Sequence, residues 1–415
     1  MQNRDISFPK IALLAIFAST LLLATRGVSQ TETVLHSFDG KYGYSPDAGL
    51  IFDSSGNLYG STYQGGAFNY GMIFELVPGA DSHWAEKVVR NCNNNGKEGY
   101  SPDSSLIFDP AGNLYGTTDY GGAHNAGTVF ELARKTGGGW IEKVLHSFSS
   151  TGTDGYAPEG GLVFDAAGNL YGTTNYGGTD HSYGTVFELT PSAGGGWAEH
   201  VLFSFDGATS GEYPVGGLVL DAGGNLYGVA AAGGSSNYGT VFELTPHSGG
   251  IWSEKTVHTF TGANGVSPSG SLTFDAAGNL YGTTGAGGTP GAGTVFKLTP
   301  ADGGGWSETI LYNFLGNSDG AYPASKLVFD TAGNLYGTTV KGGGSGAGGY
   351  GTVFELTPML DGSWTETQLH FFSSGTDGDG NQPVGNLILD GAGNLYGATL
   401  YGGTYDLGTV FEVTP

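Results

Sequence analysis

Seven aspartates, Asp53, Asp109, Asp165, Asp221, Asp275, Asp330 and Asp390, each stand three residues before the glycine that opens a Gly-Asn-Leu-Tyr-Gly fragment. A ring of carboxylates could do acid–base chemistry, but catalysis calls for a few acids in unlike environments. At this spacing an Asp accepts backbone N–H groups across a tight turn while Gly takes the positive φ, so the reading is structural. Six glutamates recur in the same way (Glu75, Glu131, Glu188, Glu243, Glu355 and Glu412), and Lys297 fills the remaining copy, as a solvated strand face permits. His36, His146, His258 and His370 share a position held elsewhere by Arg90, Phe203 and Tyr312. That mixture reads as a partly exposed outer strand, its histidines too far apart to share a metal. Cys92 replaces a recurring Phe and reads as a small buried hydrophobe, not a nucleophile.

The residues that depart from the repeat are the better candidates for a site. Tyr63, Tyr120, His124, Tyr176, Asp180, His181, Tyr401 and Tyr405 lie in one variable stretch of their copies. Tyr rings beside acids, amides and glycines suit a sugar or peptide surface, with apolar stacking and one hydrogen-bonding tip. The competing reading is that these rings only pack loop on loop. His124 or His181 with Asp180, Glu159 or Glu212 could also serve a lyase or hydrolase. Asp377, Asp379 and Asn381 alternate like the start of a Ca²⁺ loop, and Ca²⁺ is the one cofactor the sequence suggests. The distal ligands of such a loop are missing, which favours a plain turn. Arginines are too few and too scattered for a sialidase-type clamp, and no Gly-x-Ser-x-Gly, His-Glu-x-x-His or phosphate-loop motif occurs.

The elements that must position these residues follow from the spacing. The Gly-Asn-Leu-Tyr-Gly fragments begin at residues 56, 112, 168, 224, 278, 333 and 393. A period this regular points to a repeat architecture. Each copy holds four strand-like runs separated by turn signals, in the third copy 161–165, 169–174, 184–191 and 197–205. We name them A, B, C and D. Four-stranded units repeated about a centre predict an all-β, seven-bladed β-propeller of four antiparallel strands per blade. The phase sharpens this. Residues 32–38 match strand D, whereas the chain closes on strand C at 408–415. The N-terminal strand is therefore expected to complete the last blade (383–415), closing the ring and removing an exposed edge.

Composition bounds the partners. Of 415 residues 79 are Gly, 38% are hydrophobic and the formal net charge is −24, which argues against nucleic acid, since phosphate binding needs clustered Lys and Arg. Arg4 and Lys10 precede an apolar run at 11–24, with Gly27 and Ser29 suited to a cleavage site, so residues 1–29 read as a signal peptide and 30–415 as one domain. The expectation is a secreted, periplasmic or cell-envelope monomer without a membrane anchor. A single cysteine allows no internal disulfide.

The run Asp-x-x-Gly-Asn-Leu-Tyr, followed by Gly-Gly and Gly-Thr-Val-Phe-Glu-Leu-Thr-Pro, resembles the Gloeo-Verruco (GloVer) tandem repeat of exported bacterial proteins. More distantly, its A–B hairpin is similar to those of NHL and SMP-30-like propellers. The resemblance implies a propeller with A innermost and D outermost, and it implies export without supplying chemistry. On that plan the D–A and B–C loops share one face. The expected function is a non-enzymatic binding or scaffold propeller whose B–C loops engage an extracellular polysaccharide or protein. The alternative is a polysaccharide or small-molecule lyase or hydrolase at the channel mouth.

Overall fold

The computed structural model describes residues 31–79, 84–179, 183–344, 349–373 and 378–415. The expected signal peptide lies outside these residues, as do Asp180, His181 and Asp377. Seven sheets of antiparallel strands in the order A-B-C-D follow one another around a ring. In the third blade these are Val163–Phe164, Leu170–Thr174, Thr185–Pro191 and Trp197–Ser204. Strand B is buried along its length, because Leu-Tyr-Gly-Thr-Thr meets neighbours on both faces. The register of C against D shifts at one point in every blade, as at Val186/Phe187. A bulge of this kind increases the local twist.

Closure is as the strand phase requires. Thr31–Ser37 runs antiparallel to Thr409–Thr414, from Thr31 opposite Thr414 to Ser37 opposite Thr409. The Phe38 N–H then donates to the Gly408 carbonyl at 3.0 Å. The first strand is thus the outer strand of the seventh blade.

The core sits between blades. Tyr115, Leu145 and Phe148 of the second blade pack with Leu162, Phe187 and Leu189 of the third. The repeat tyrosine is the knob of each seam: Tyr59 meets Phe108 and Trp140 of the next blade edge-on, and Tyr396 meets Phe52 and Trp84 across the closure. Edge-to-face pairs are the favoured aromatic geometry. Farther out, Phe38 meets Phe74 and Phe205 meets Phe242 in the same way. At the first seam Cys92, fully buried, takes the phenylalanine's place, and the Arg90 guanidinium covers the Phe130 ring at 5.2 Å.

The repeated aspartates are turn residues. Asp165 accepts the backbone N–H groups of Ala167 and Asn169 through one oxygen, and the Asn169 amide and Tyr171 hydroxyl through the other. The other six make the same set, which fixes each A–B turn and each seam tyrosine together. The strand C glutamates are more than a solvated face. Tyr171 donates to Glu188 at 2.8 Å and Tyr396 to Glu412 at 3.0 Å. In the fifth blade Lys297 lies over the Tyr281 ring instead.

Candidate functional site

Each D–A loop carries a proline that fixes φ where the chain turns in to the innermost strand. The residue before that proline takes a positive φ in all seven blades, from 51° at Ser267 to 58° at Tyr322. Its N–H bonds the preceding blade's B–C loop, as Ser101 N–H does to the Tyr70 carbonyl at 2.9 Å. These loops are therefore locked to one another, and the residues after Pro46, Pro102, Pro158 and Pro323 reach the axial cavity.

At that position the blades differ. The first three carry Asp47, Asp103 and Glu159, whereas the next four carry Val215, Ser269, Ala324 and Val384. The three acids line an axial cavity of about 290 Å³, with Lys326 and Asn386 also on its wall. Ser105 ties the wall across blades: its hydroxyl accepts the Gly49 N–H at 3.1 Å and the Asn386 amide at 3.2 Å. Asp119, at the end of strand B in the second blade, joins the acids and accepts the Tyr63 hydroxyl at 3.1 Å.

Burial decides the electrostatics. It raises the carboxyls of Asp47 and Asp103 well above the ordinary range, and the charges of Asp119 and Glu159 raise them further. A hydrogen bond between the two lowers Asp47 and raises Asp103, and the Asp47 charge raises Asp103 further, since like charges so close oppose joint ionisation. Burial also raises Asp119, against the Tyr63 hydrogen bond, and Glu159, against one from Asn175. Lys326 is lowered by burial alone. One oxygen each of Asp47 and Asp119 is buried without a hydrogen-bond partner among the described residues. The wall can donate and accept hydrogen bonds, and it favours neutral or cationic guests.

Above the acids, on the first four blades, tyrosines form two ladders. Tyr70 meets Tyr100 at 5.0 Å, and Tyr100 stacks on Tyr120 at 5.6 Å and 21°. Tyr156 stacks on Tyr176 at 5.2 Å and 20°, and Tyr176 meets Tyr213 edge-on. Stacking within the ladders is packing of loop on loop, yet Tyr70 and Tyr120 keep 37% and 41% of their surface exposed. Of the residues singled out from sequence, Tyr63, Tyr120 and Tyr176 belong to this region. His124 is exposed on the rim, and Tyr401 and Tyr405 are exposed on the seventh blade, with no ring contact to the ladders among the described residues. Asp379 turns away from the channel: it accepts the N–H groups of Ser373 and Gly380 and faces His370 at 3.4 Å. Asn381 is buried opposite Tyr401. Asp47, Asp103, Asp119 and Lys326 were not picked out by motif. For Asp47, Asp103 and Lys326 the signal is that the position after the proline, and that two residues on, changes chemistry from blade to blade. For Asp119 it is the end of strand B, where other blades have residues such as Tyr63, Asn175 or Ala231.

Fold and site together define a seven-bladed β-propeller with an acidic axial cavity under a tyrosine rim. The chain belongs to the Gloeobacter/Verrucomicrobia repeat family, whose sequence profile matches residues 20–219, 143–350 and 307–415. Among solved structures it is similar to PorZ, an essential bacterial surface component of the type-IX secretion system of Porphyromonas gingivalis. That likeness has 15% identity and a TM-score of 0.54 over 91% of this chain and 47% of PorZ, so the chain spans about half of PorZ's length. A second similar structure is described as a putative oxidoreductase (glucose dehydrogenase) of Thermus thermophilus, at 16% identity and a TM-score of 0.43, covering 82% of this chain and 99% of the other. No curated protein matches the chain in sequence. At these identities the structural likeness establishes the fold alone.

Proposed function

We propose that the protein is an exported, non-enzymatic binding propeller of the cell envelope that engages a neutral or amine-bearing carbohydrate polymer at the tyrosine rim of its first four blades. The observation that carries this reading is the pair of tyrosine ladders on the loops of the first four blades, of which the first three carry Asp47, Asp103 and Glu159, with Tyr176 near enough to Glu159 to feel its charge. Rings give sugars an apolar platform at low entropic cost, and the carboxyls below offer hydrogen bonds to hydroxyl or amine groups. The net charge of −24 disfavours acidic polysaccharides. The leader-like residues 1–29 support export, and PorZ is a surface protein with the same kind of fold. Glycan-array and polymer pull-down measurements should find binding that falls about tenfold or more, some 1.4 kcal/mol, in Tyr120→Ala and in Tyr176→Ala. Binding to no polymer, or binding indifferent to both substitutions, would sink the reading.

One observation favours a second reading, a glycan hydrolase or lyase. Two hydrogen-bonded carboxyls with raised affinity for protons are what a general acid and its conjugate base require. Release of reducing ends from a bound polymer, abolished by Asp103→Asn, would replace the binding-only account.

A further inference from the structure

The outer strands hold a second set of positions that the binding site does not use. The seams bring together three of them: the strand D residue shared by the four histidines, the last residue of the same D–A loop before its glycine, and a Glu near the start of the next blade's strand D, two residues after its Trp or, in the closing strand, Glu32. Far from a solvated face, the seam is half-buried and paired. At the first seam Arg90 meets Glu142 at 2.6 Å. Between blades four and five, Asn264 donates through its amide to His258 at 3.1 Å and to Glu308 at 2.7 Å. There the amide bridges both partners, while the second Glu308 oxygen, like one of Glu199, is buried without a hydrogen bond.

Three seams carry Asp in place of that Asn. At one, between blades five and six, the strand residue is Tyr312, which donates to Asp319 at 2.9 Å, and at the other two it is His. Between blades two and three, His146 Nε2 lies 3.3 Å from Asp154, and one ligand atom each of His146, Asp154 and Glu199 all fall within 4.8 Å of one another. Between blades six and seven the same holds for His370, Asp379 and Glu32. An ionised Asp offers only lone pairs where Asn offered donors. At the first of these nodes one Glu199 oxygen is buried with no hydrogen-bond partner. Both aspartates are held by backbone: Asp154 accepts the N–H groups of Ser149 and Gly155, and Asp379 those of Ser373 and Gly380. Both imidazoles are fixed edge-on against a phenylalanine at 4.7 Å, Phe148 and Phe372. The ring packing is common to all four histidines, at 4.8 Å for His36 on Phe38 and for His258 on Phe260, whereas backbone bonds to the carboxylates pre-orient them as outer-shell partners do at metal sites.

We propose that these two seams are divalent-metal clamps, each offering one imidazole nitrogen and two carboxylates to a borderline cation such as Zn²⁺ or Mn²⁺. The donor set suits those metals better than Ca²⁺, which takes oxygen alone. Side-chain rotation brings the three atoms to the 2.0–2.2 Å that Zn²⁺ requires, roughly, with water completing the shell. Glu32 belongs to the closing strand, so the second clamp staples the ring shut.

The test is calorimetric titration of chelator-treated full-length protein with ZnCl₂, together with its melting temperature. Wild type should bind two equivalents with a dissociation constant below about 10 μM and gain about 3 °C or more. Asp154→Asn and Asp379→Asn copy the chain's own amide-bridged seam, so each should lose one equivalent while melting like wild type in chelator. Glu199→Gln is a second variant at the first clamp and should also lose one. No saturable Zn²⁺ or Mn²⁺ binding, or an unchanged stoichiometry in the double Asn variant, overturns the proposal and leaves ordinary histidine–carboxylate pairs.

Discussion

Removing the Phe38 ring tests whether the N-terminal strand is a true seventh-blade strand. Phe38 is fully buried, and it meets Phe74 of the first blade at 5.3 Å and 62°. Phe205, its counterpart in an interior seam, is equally buried and meets Phe242 at 5.0 Å and 72°. Truncation of a buried Phe to Ala costs about 3–5 kcal/mol, including the cavity left behind. Unfolding entropy of about 2.1 cal/mol/K per residue, over a ring of roughly 385 residues, converts this to about 4–6 °C in melting temperature. The assay is urea and thermal denaturation of Phe38→Ala and Phe205→Ala beside wild type. Equal losses are expected, because the two positions share one environment. A cost below about 1 kcal/mol at Phe38, with the full cost at Phe205, would mean that the terminal strand detaches freely and that closure adds little.

Two more outcomes follow from particular residues. Gly127 has φ +100°, and an added Cβ would lie 2.5 Å from the Pro158 ring and 2.6 Å from the Thr118 carbonyl, whereas at Gly112 (φ +82°) only the Arg134 side chain comes as near as 4.0 Å. Gly127→Ala should therefore cost about 3 kcal/mol or more and Gly112→Ala only about 1, measured by chemical denaturation. The channel carboxyls give a pH signature. A carboxyl whose folded pKa lies above its unfolded one contributes stability that is full below about pH 4 and is lost as pH rises through the raised value. Asp103→Asn removes one of the paired charges, so relative to wild type it should gain stability at pH 8 and gain little at pH 4. Every tenfold excess in proton affinity that the folded state imposes on the carboxyl is worth about 1.4 kcal/mol at the higher pH. An equal loss at both pH values would mean that the pair is not under electrostatic strain.

The sequence made the ring legible because its determinants are local. The Asp and Gly of each A–B turn are three residues apart, strand C alternates, and the terminal strands reveal their phase, so blade count, strand order and closure could all be read. Seam partners were not legible in this way. His146 and Glu199 are neighbours only because one blade packs on the next, and nothing in the spacing of either strand says so. The varied company of the histidine position (Arg90, Phe203, Tyr312) suggested a loose outer face. In the structure it varies because each seam supplies a different loop partner, and Arg90 is 8% exposed. The axial acids were hidden for a related reason. Asp47 and Asp103 resemble ordinary loop residues until the ring brings successive blades side by side, and only then do their carboxyls act on each other's protonation. Regularity in the A–B turns was a reliable guide to structure, and disagreement among repeats was the guide to a site.

The central claim is that a ligand sits over the acids of the first three blades. It is tested most directly by a crystal structure of the protein with the oligosaccharide that binds best on the array. The account predicts sugar density against Tyr120 or Tyr176, reaching toward Asp103 and Glu159. Density confined to the opposite face, among the uniform A–B turns, would contradict it.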